Sequence, residues 1–212
     1  MGSVEITKWY LEQDDATLIR PARPPAEPVE IIRAELPSPE LNRFLYTAVG
    51  GDWSWTDRLP WTWQQWQDWL DRPGIETWVA YVRGTPAGYA ELDGTVPGVV
   101  DIAYFGLLPR FAGQGIGGHL LTVTLRNAWS LAERHAGFAP VERVTVNTCS
   151  LDGPAALTNY QARGLTVRRT EILTPSAEPT APGPWPGARP AADPPAALPG
   201  ADPPAAAPTQ IL

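Results

Sequence analysis

The sequence predicts an α+β fold: a mixed sheet with helices on both faces. Hydrophobic periodicity switches repeatedly between two and 3.6 residues, a hairpin signal sits mid-chain at Gly84-Thr85-Pro86, and the last third reads strand, helix, strand, helix, strand. Val4–Glu12 alternates like an additional edge strand, and Val29–Leu36 reads as a strand. Pro39–Val49 is a predicted helix. Thr62–Asp71 is a second, opened by the capping box of Thr62 and Gln65 and closed at Pro73-Gly74. Glu76–Arg83 and Ala87–Asp93 form the antiparallel hairpin, and Val99–Leu108 is the longest strand. After Pro109–Gly115 a long amphipathic helix runs to about Ala136, with Ile116, Leu120, Leu121, Leu125 and Ala128 on one face and Gly137 as its stop. Val141–Thr148 is a strand. Pro154–Arg163 is a helix with Pro at its first position and Gly164 at its end, and Leu165–Leu173 is the last strand.

Composition bounds the function. The 212 residues, 43% hydrophobic and 18% charged, suffice for one core, which places a domain at 29–173 after an N-terminal extension at 1–28. Residues 174–212 hold 12 of the 25 prolines with repeated Ala, Gly and Asp, a composition with too little apolar surface to offset chain entropy, so a disordered tail is expected. No stretch is long and apolar enough to span a membrane, and the N-terminus lacks a signal-peptide pattern; the expected location is the cytoplasm. Gly2 is no myristoylation site, because Ile6 stands where Ser or Thr is required. One cysteine and two histidines exclude a disulfide framework and argue against any metal site. A net charge of −7 argues against nucleic-acid binding. The charge is unevenly spread: residues 52–101 carry a net −5 and residues 102–170 a net +4, an arrangement suited either to joining a cationic acceptor to a polyanionic cofactor or simply to a solvated surface.

The run Gly113-Gln114-Gly115-Ile116-Gly117-Gly118 follows a strand and opens a helix, so unpaired backbone N–H groups and the positive end of a helix dipole converge there. Such a spot binds phosphate. The same residues satisfy G-x-G-x-x-G, but a dinucleotide-binding unit is opposed by the mid-chain position, by the preceding hairpin, and by Asn147-Thr148 where an acidic ribose ligand belongs. No Gly-Lys-Ser/Thr follows, which excludes a Walker loop. Arg110 and Arg163 are candidate phosphate neighbours.

This loop resembles the cofactor motif of the GNAT superfamily, Gln/Arg-x-x-Gly-x-Gly/Ala, with Gly115 and Gly117 at the glycine positions and Ala112 in place of the opening Gln/Arg. Ala156, Tyr160 and Gly164-Leu165 resemble the family's closing pattern, with Leu165 for the usual Phe. The resemblance spans about residues 76–173 and implies a mostly antiparallel sheet, acetyl-CoA as cosubstrate, and transfer to a small amine in a ternary complex. It also implies that Leu107 and Leu108 offer backbone groups to the pantetheine arm, and that Tyr160 protonates the departing thiolate. Asp101 falls near where some histone-acetylating members carry a general base, and Glu91 on the neighbouring strand is the competing base. Cys149 has no evident His/Asp partnership and reads more simply as a small buried hydrophobe.

Seven of the ten tryptophans lie between Trp53 and Trp78. Trp66 and Trp69 read as core, whereas Trp53, Trp55 and Trp61 lie in a loop between the two helices that roof the acceptor groove in the family. With Asp52 and Asp57 nearby, they suit a cationic or aromatic amine. A homodimer is the candidate assembly. The alternatives are a fold-mate using a longer acyl chain or a carrier-protein thioester, and a non-catalytic acyl-CoA-binding module.

Overall fold

The computed structural model describes residues 5–174 and residue 183; the tail expected over 174–212 otherwise lies outside the described residues. In chain order the elements are β1 (Ile6–Gln13), β2 (Glu30–Ala34), α1 (Pro39–Gly50), α2 (Trp63–Leu70), β3 (Ile75–Val82), β4 (Thr85–Val96), β5 (Val99–Leu107), α3 (Ile116–Trp129), α4 (Leu131–Arg134), β6 (Arg143–Cys149), α5 (Ala156–Ala162) and β7 (Thr166–Leu173). They build a seven-stranded sheet in the order β2-β3-β4-β5-β6-β1-β7. Every pairing is antiparallel except β5 with β6. No described helix is long and apolar enough to cross a membrane.

The two faces carry different helices. On one, α3 and α5 cover a core of Leu11, Ile102, Leu121, Leu125, Val144 and Val146, all at 3% exposure or less. On the other, Leu45 and Val49 of α1 pack on Val79 and Tyr89. The adjacent residues Val79 and Ala80 are both buried, each in a different cluster, as a strand covered on both faces requires.

Two sequence expectations change. β1 is not an edge strand but is paired on both sides, to β6 and β7, and Ala22 donates its N–H to Thr122 Oγ1 of α3 at 3.0 Å. Residues 6–13 therefore lie inside the sheet. The alternation of β1 reports that one face is buried and is silent about how many neighbours bond its edges. The long helix breaks at Ser130, whose hydroxyl bonds Arg126 O at 3.0 Å and competes with the helical ladder, and the chain resumes as α4. His135 lies 3.0 Å from the fully buried Glu76 carboxylate, which Arg134 also grips.

Candidate active site

β5 and β6 pair only from Val99–Arg143 to Ile102–Val146. Beyond that point β5 runs on to Leu107 and β6 to Cys149 without bonding each other, and the sheet splits. A cleft of about 890 Å³ occupies the split, lined by residues 102–107 of β5 and by Val146, Asn147 and Cys149 of β6. It opens on both faces of the sheet, so two molecules can meet through the gap from opposite sides.

On the α3 face the cleft is bordered by Gly113, Gly115, Gly117 and Gly118. Gly115 caps α3 with φ of 78°, in the left-handed region that a side chain disfavours. A Cβ at Gly117 would lie 3.5 Å from Leu107 and 3.9 Å from Asn159, filling the space beside the helix start. Arg163 Nη1 sits 2.9 Å from where a Gly118 Cβ would be, and the buried Arg163 Nε has no hydrogen-bond partner. Arg163 does not itself line the cleft, but a guanidinium whose Nε has no partner among the described residues, beside the first turn of a 14-residue helix, fits a polyanion such as a pyrophosphate. Tyr160, 5% exposed, packs against Phe105 with ring centroids 5.9 Å apart and also lines the cleft. Among the described residues its hydroxyl has no hydrogen-bond partner. Burial, with Asp152 and Asp101 nearby, pushes its ionisation well above that of an ordinary phenol, so it stays a protonated donor.

On the α1 face the walls are aromatic and charged. Trp55 packs edge-on against Tyr104 at 4.9 Å and lies over Gly50, where any side chain would overlap its ring. Trp53 reaches across to the loop at Gly153. Asp57 accepts the hydroxyls of Tyr46 and Tyr104, at 2.6 and 2.5 Å. Asp57, Tyr104 and Lys8 all line this side.

Residues 40–135 match the model of the Acetyltransferase (GNAT) family. Over those residues the chain matches a GNAT acetyltransferase domain. Among solved structures it is similar to a GCN5-related N-acetyltransferase from Kribbella flavida, 16% identical with a TM-score of 0.55, over 78% of this chain and 56% of that one. It is similar also to a GCN5-related N-acetyltransferase from Sphaerobacter thermophilus, 20% identical with a TM-score of 0.53, over 81% of this chain and 51% of that one. At these identities the likeness shows the fold. The chain spans 51% to 61% of the length of the first solved structures it matches. No curated protein matches it.

The residues singled out from sequence separate into two groups. Leu107, Gly113, Gly115, Gly117, Gly118, Tyr160, Trp53 and Trp55 line the cleft. Leu108 does not: its N–H bonds Ala87 O at 2.9 Å, so the alternation of an extended chain turns the backbone groups of Leu107 toward the split. Ile116 is a core residue at 0% exposure. Gln114 ties its amide to Arg110 O at 2.8 Å, and neither residue lines the cleft.

Trp61 and Glu91 belong to a separate cage. The Arg58 guanidinium lies 4.6, 4.1 and 4.4 Å from the ring centroids of Trp61, Trp69 and Tyr104, and pairs with Glu91 at 2.8 Å. Glu91 also accepts from Trp69 Nε1 and Asn42 Nδ2 and is 1% exposed. Burial raises its carboxyl above the ordinary range against the pull of Arg58. Asp101 sits just below the split, where Thr145 Oγ1 donates to it at 2.5 Å, and burial raises its carboxyl against that bond.

Lys8, Tyr104, Asn147 and Asp152 also line the cleft without having been singled out for it. The Asp152 carboxylate accepts from Thr148 Oγ1 at 2.6 Å and from Cys149 N at 3.0 Å. Their signal was the register that pairs Lys8 with Cys149, which no local pattern encodes. The Cys149 thiol lines the cleft, but burial and Asp152 raise its ionisation, the opposite of what an acyl-accepting nucleophile needs. Among the described residues no cluster suited to a metal occurs.

Proposed function

We propose that the protein is an acetyl-CoA-dependent N-acetyltransferase of the cytoplasm that acts on a small amine by direct attack in a ternary complex. The observation that carries this reading is the cleft through the split sheet, with an anion-binding helix start on one face and an aromatic, acidic wall on the other. Acetyl-CoA would supply the activated thioester. Gly113, Gly115, Gly117 and Arg163 hold the pyrophosphate, and the backbone of Leu107 aligns the pantetheine arm.

On the acceptor side, Asp57 meets the amine beside Trp53, Trp55 and Tyr104. Asp101, one layer beneath, takes the proton through a water; burial raises both buried carboxyls, and Asp101 is the better acceptor because Glu91 is spent on Arg58. Tyr160, on the opposite side of the transfer, returns a proton to the leaving thiolate. Holding both reactants at one gap converts a bimolecular step into one of positioning. Thiol release from acetyl-CoA across an amine panel, with calorimetric titration of acetyl-CoA and of NAD, tests the reading. Binding of acetyl-CoA with amine-dependent thiol release is expected, and binding of NAD in its place would overturn it.

A further inference from the structure

The two sides of the acceptor half of the cleft carry opposite charges, Lys8 and Asp57, and neither is ion-paired among the described residues. Cross-strand partners share a face of the sheet. Val144 and Val146 point into the α3 core, so Asn147 and Cys149 point the other way, and with them their β1 partners Tyr10 and Lys8. Lys8 therefore stands on the α1 face, away from the phosphate-binding helix start. Its cross-strand neighbour on β7 is Glu171, but that carboxylate is taken by Arg169 and by the Tyr10 hydroxyl at 2.8 Å. The Tyr10 ring lies 5.2 Å from the Lys8 ammonium, and the Asp101 carboxyl on the same face feels its charge, but among the described residues Lys8 makes no ion pair.

Across the cleft, Asp57 is held by two phenols. The guanidinium next to it in sequence, that of Arg58, is committed to Glu91. A carboxylate accepts about four hydrogen bonds, so each Asp57 oxygen retains a free acceptor position. The third charge on the lining, Asp152, turns to Thr148 and the backbone of Cys149.

We infer that the acceptor is zwitterionic: a free α-amino acid with an apolar side chain, its ammonium on Asp57, its carboxylate on Lys8 and its side chain against Trp53 and Trp55. A simple amine would satisfy Asp57 and leave Lys8 unpaired; an acidic peptide would meet Asp57 with repulsion. The inference rests on the acyl-transfer reading for its chemistry, but the binding site it describes is testable without turnover.

The experiment compares two matched pairs, L-phenylalanine with 2-phenylethylamine and L-leucine with 3-methylbutylamine. Each is measured by calorimetry on the CoA-loaded protein and by thiol release with acetyl-CoA. In the parent protein each amino acid should bind, and react in kcat/KM, about tenfold or more better than its decarboxylated amine, the scale of one charge-assisted hydrogen bond. Lys8→Met should collapse that ratio toward one, Lys8→Arg should retain most of it, and Asp57→Asn should weaken both members of a pair together. Amines equal to or better than amino acids in the parent protein, or a ratio untouched by Lys8→Met, overturns the inference. Preferential binding of the amino acids with no thiol release would leave the site standing and overturn acyl transfer instead.

Discussion

Arg58 and Asp57 are neighbours in sequence and opposites in use. Arg58 turns into the domain, where three aromatic rings and the Glu91 carboxylate neutralise it at 4% exposure. Asp57 turns out to the cleft with two phenols and, among the described residues, no cation. A charge whose counter-ion is built into the fold is architecture, because removing either partner leaves a buried charge unpaired. A charge presented on a cleft wall without one is available to a ligand. Substitutions at the two kinds of carboxylate should therefore separate stability from activity.

The largest effect belongs to the cage. Glu91→Gln strands the Arg58 guanidinium away from water, and urea unfolding should show a loss of about 3–5 kcal/mol. A loss below about 1 kcal/mol would mean that Arg58 reaches solvent and that the cage is not closed. Tyr160→Phe removes a hydroxyl with no partner among the described residues, so unfolding should barely change. Its cost should fall on kcat, by roughly 10- to 100-fold, with acetyl-CoA affinity kept; an unchanged kcat would take the proton-donor role from Tyr160. Asp57→Asn should lie between them, raising the amine KM about tenfold with stability held within about 1 kcal/mol. Were it to unfold the protein as Glu91→Gln does, the contrast between cage and wall would fail.

Much of this arrangement was written locally in the chain. The capping box at Thr62 and Gln65 set the start of α2, and the Gly84-Thr85-Pro86 turn set the hairpin. The glycine run before Ile116 and the Tyr160 position were read from local pattern, and both line the α3 side of the cleft. The α1 side was less legible because it depends on pairing between distant strands. Lys8 reaches the site through a register 141 residues away in sequence, at Cys149, and Val4–Glu12 carried no sign that it lay inside the sheet. Residue type and loop position do not reveal that an arginine three residues before Trp61 contacts both Trp61 and Glu91. Residue identity announced the groups, and the cross-chain partner of each decided its use.

The smallest expected effect is also the one that distinguishes Asp101 from Asp57 as the proton acceptor. Burial raises the Asp101 carboxyl in the folded protein above its ordinary value. The fold therefore binds that proton more tightly than the unfolded chain does. The stability it contributes is fully present below the ordinary carboxylate pKa and is lost as pH rises through the folded value. At neutral pH the charged form is a burden, and Asp101→Asn, whose amide oxygen still accepts from Thr145, should unfold no more easily than the parent. Catalysis has the opposite sign. A base works only when deprotonated, so kcat/KM should decline as pH falls through the raised Asp101 value. In Asp101→Asn that acidic decline should flatten and the remaining activity should recover as pH rises and free amine becomes abundant. If the decline persists in Asp101→Asn and disappears in Asp57→Asn, the proton passes directly to the carboxylate on the cleft wall, and Asp101 is held there only by its bond to Thr145.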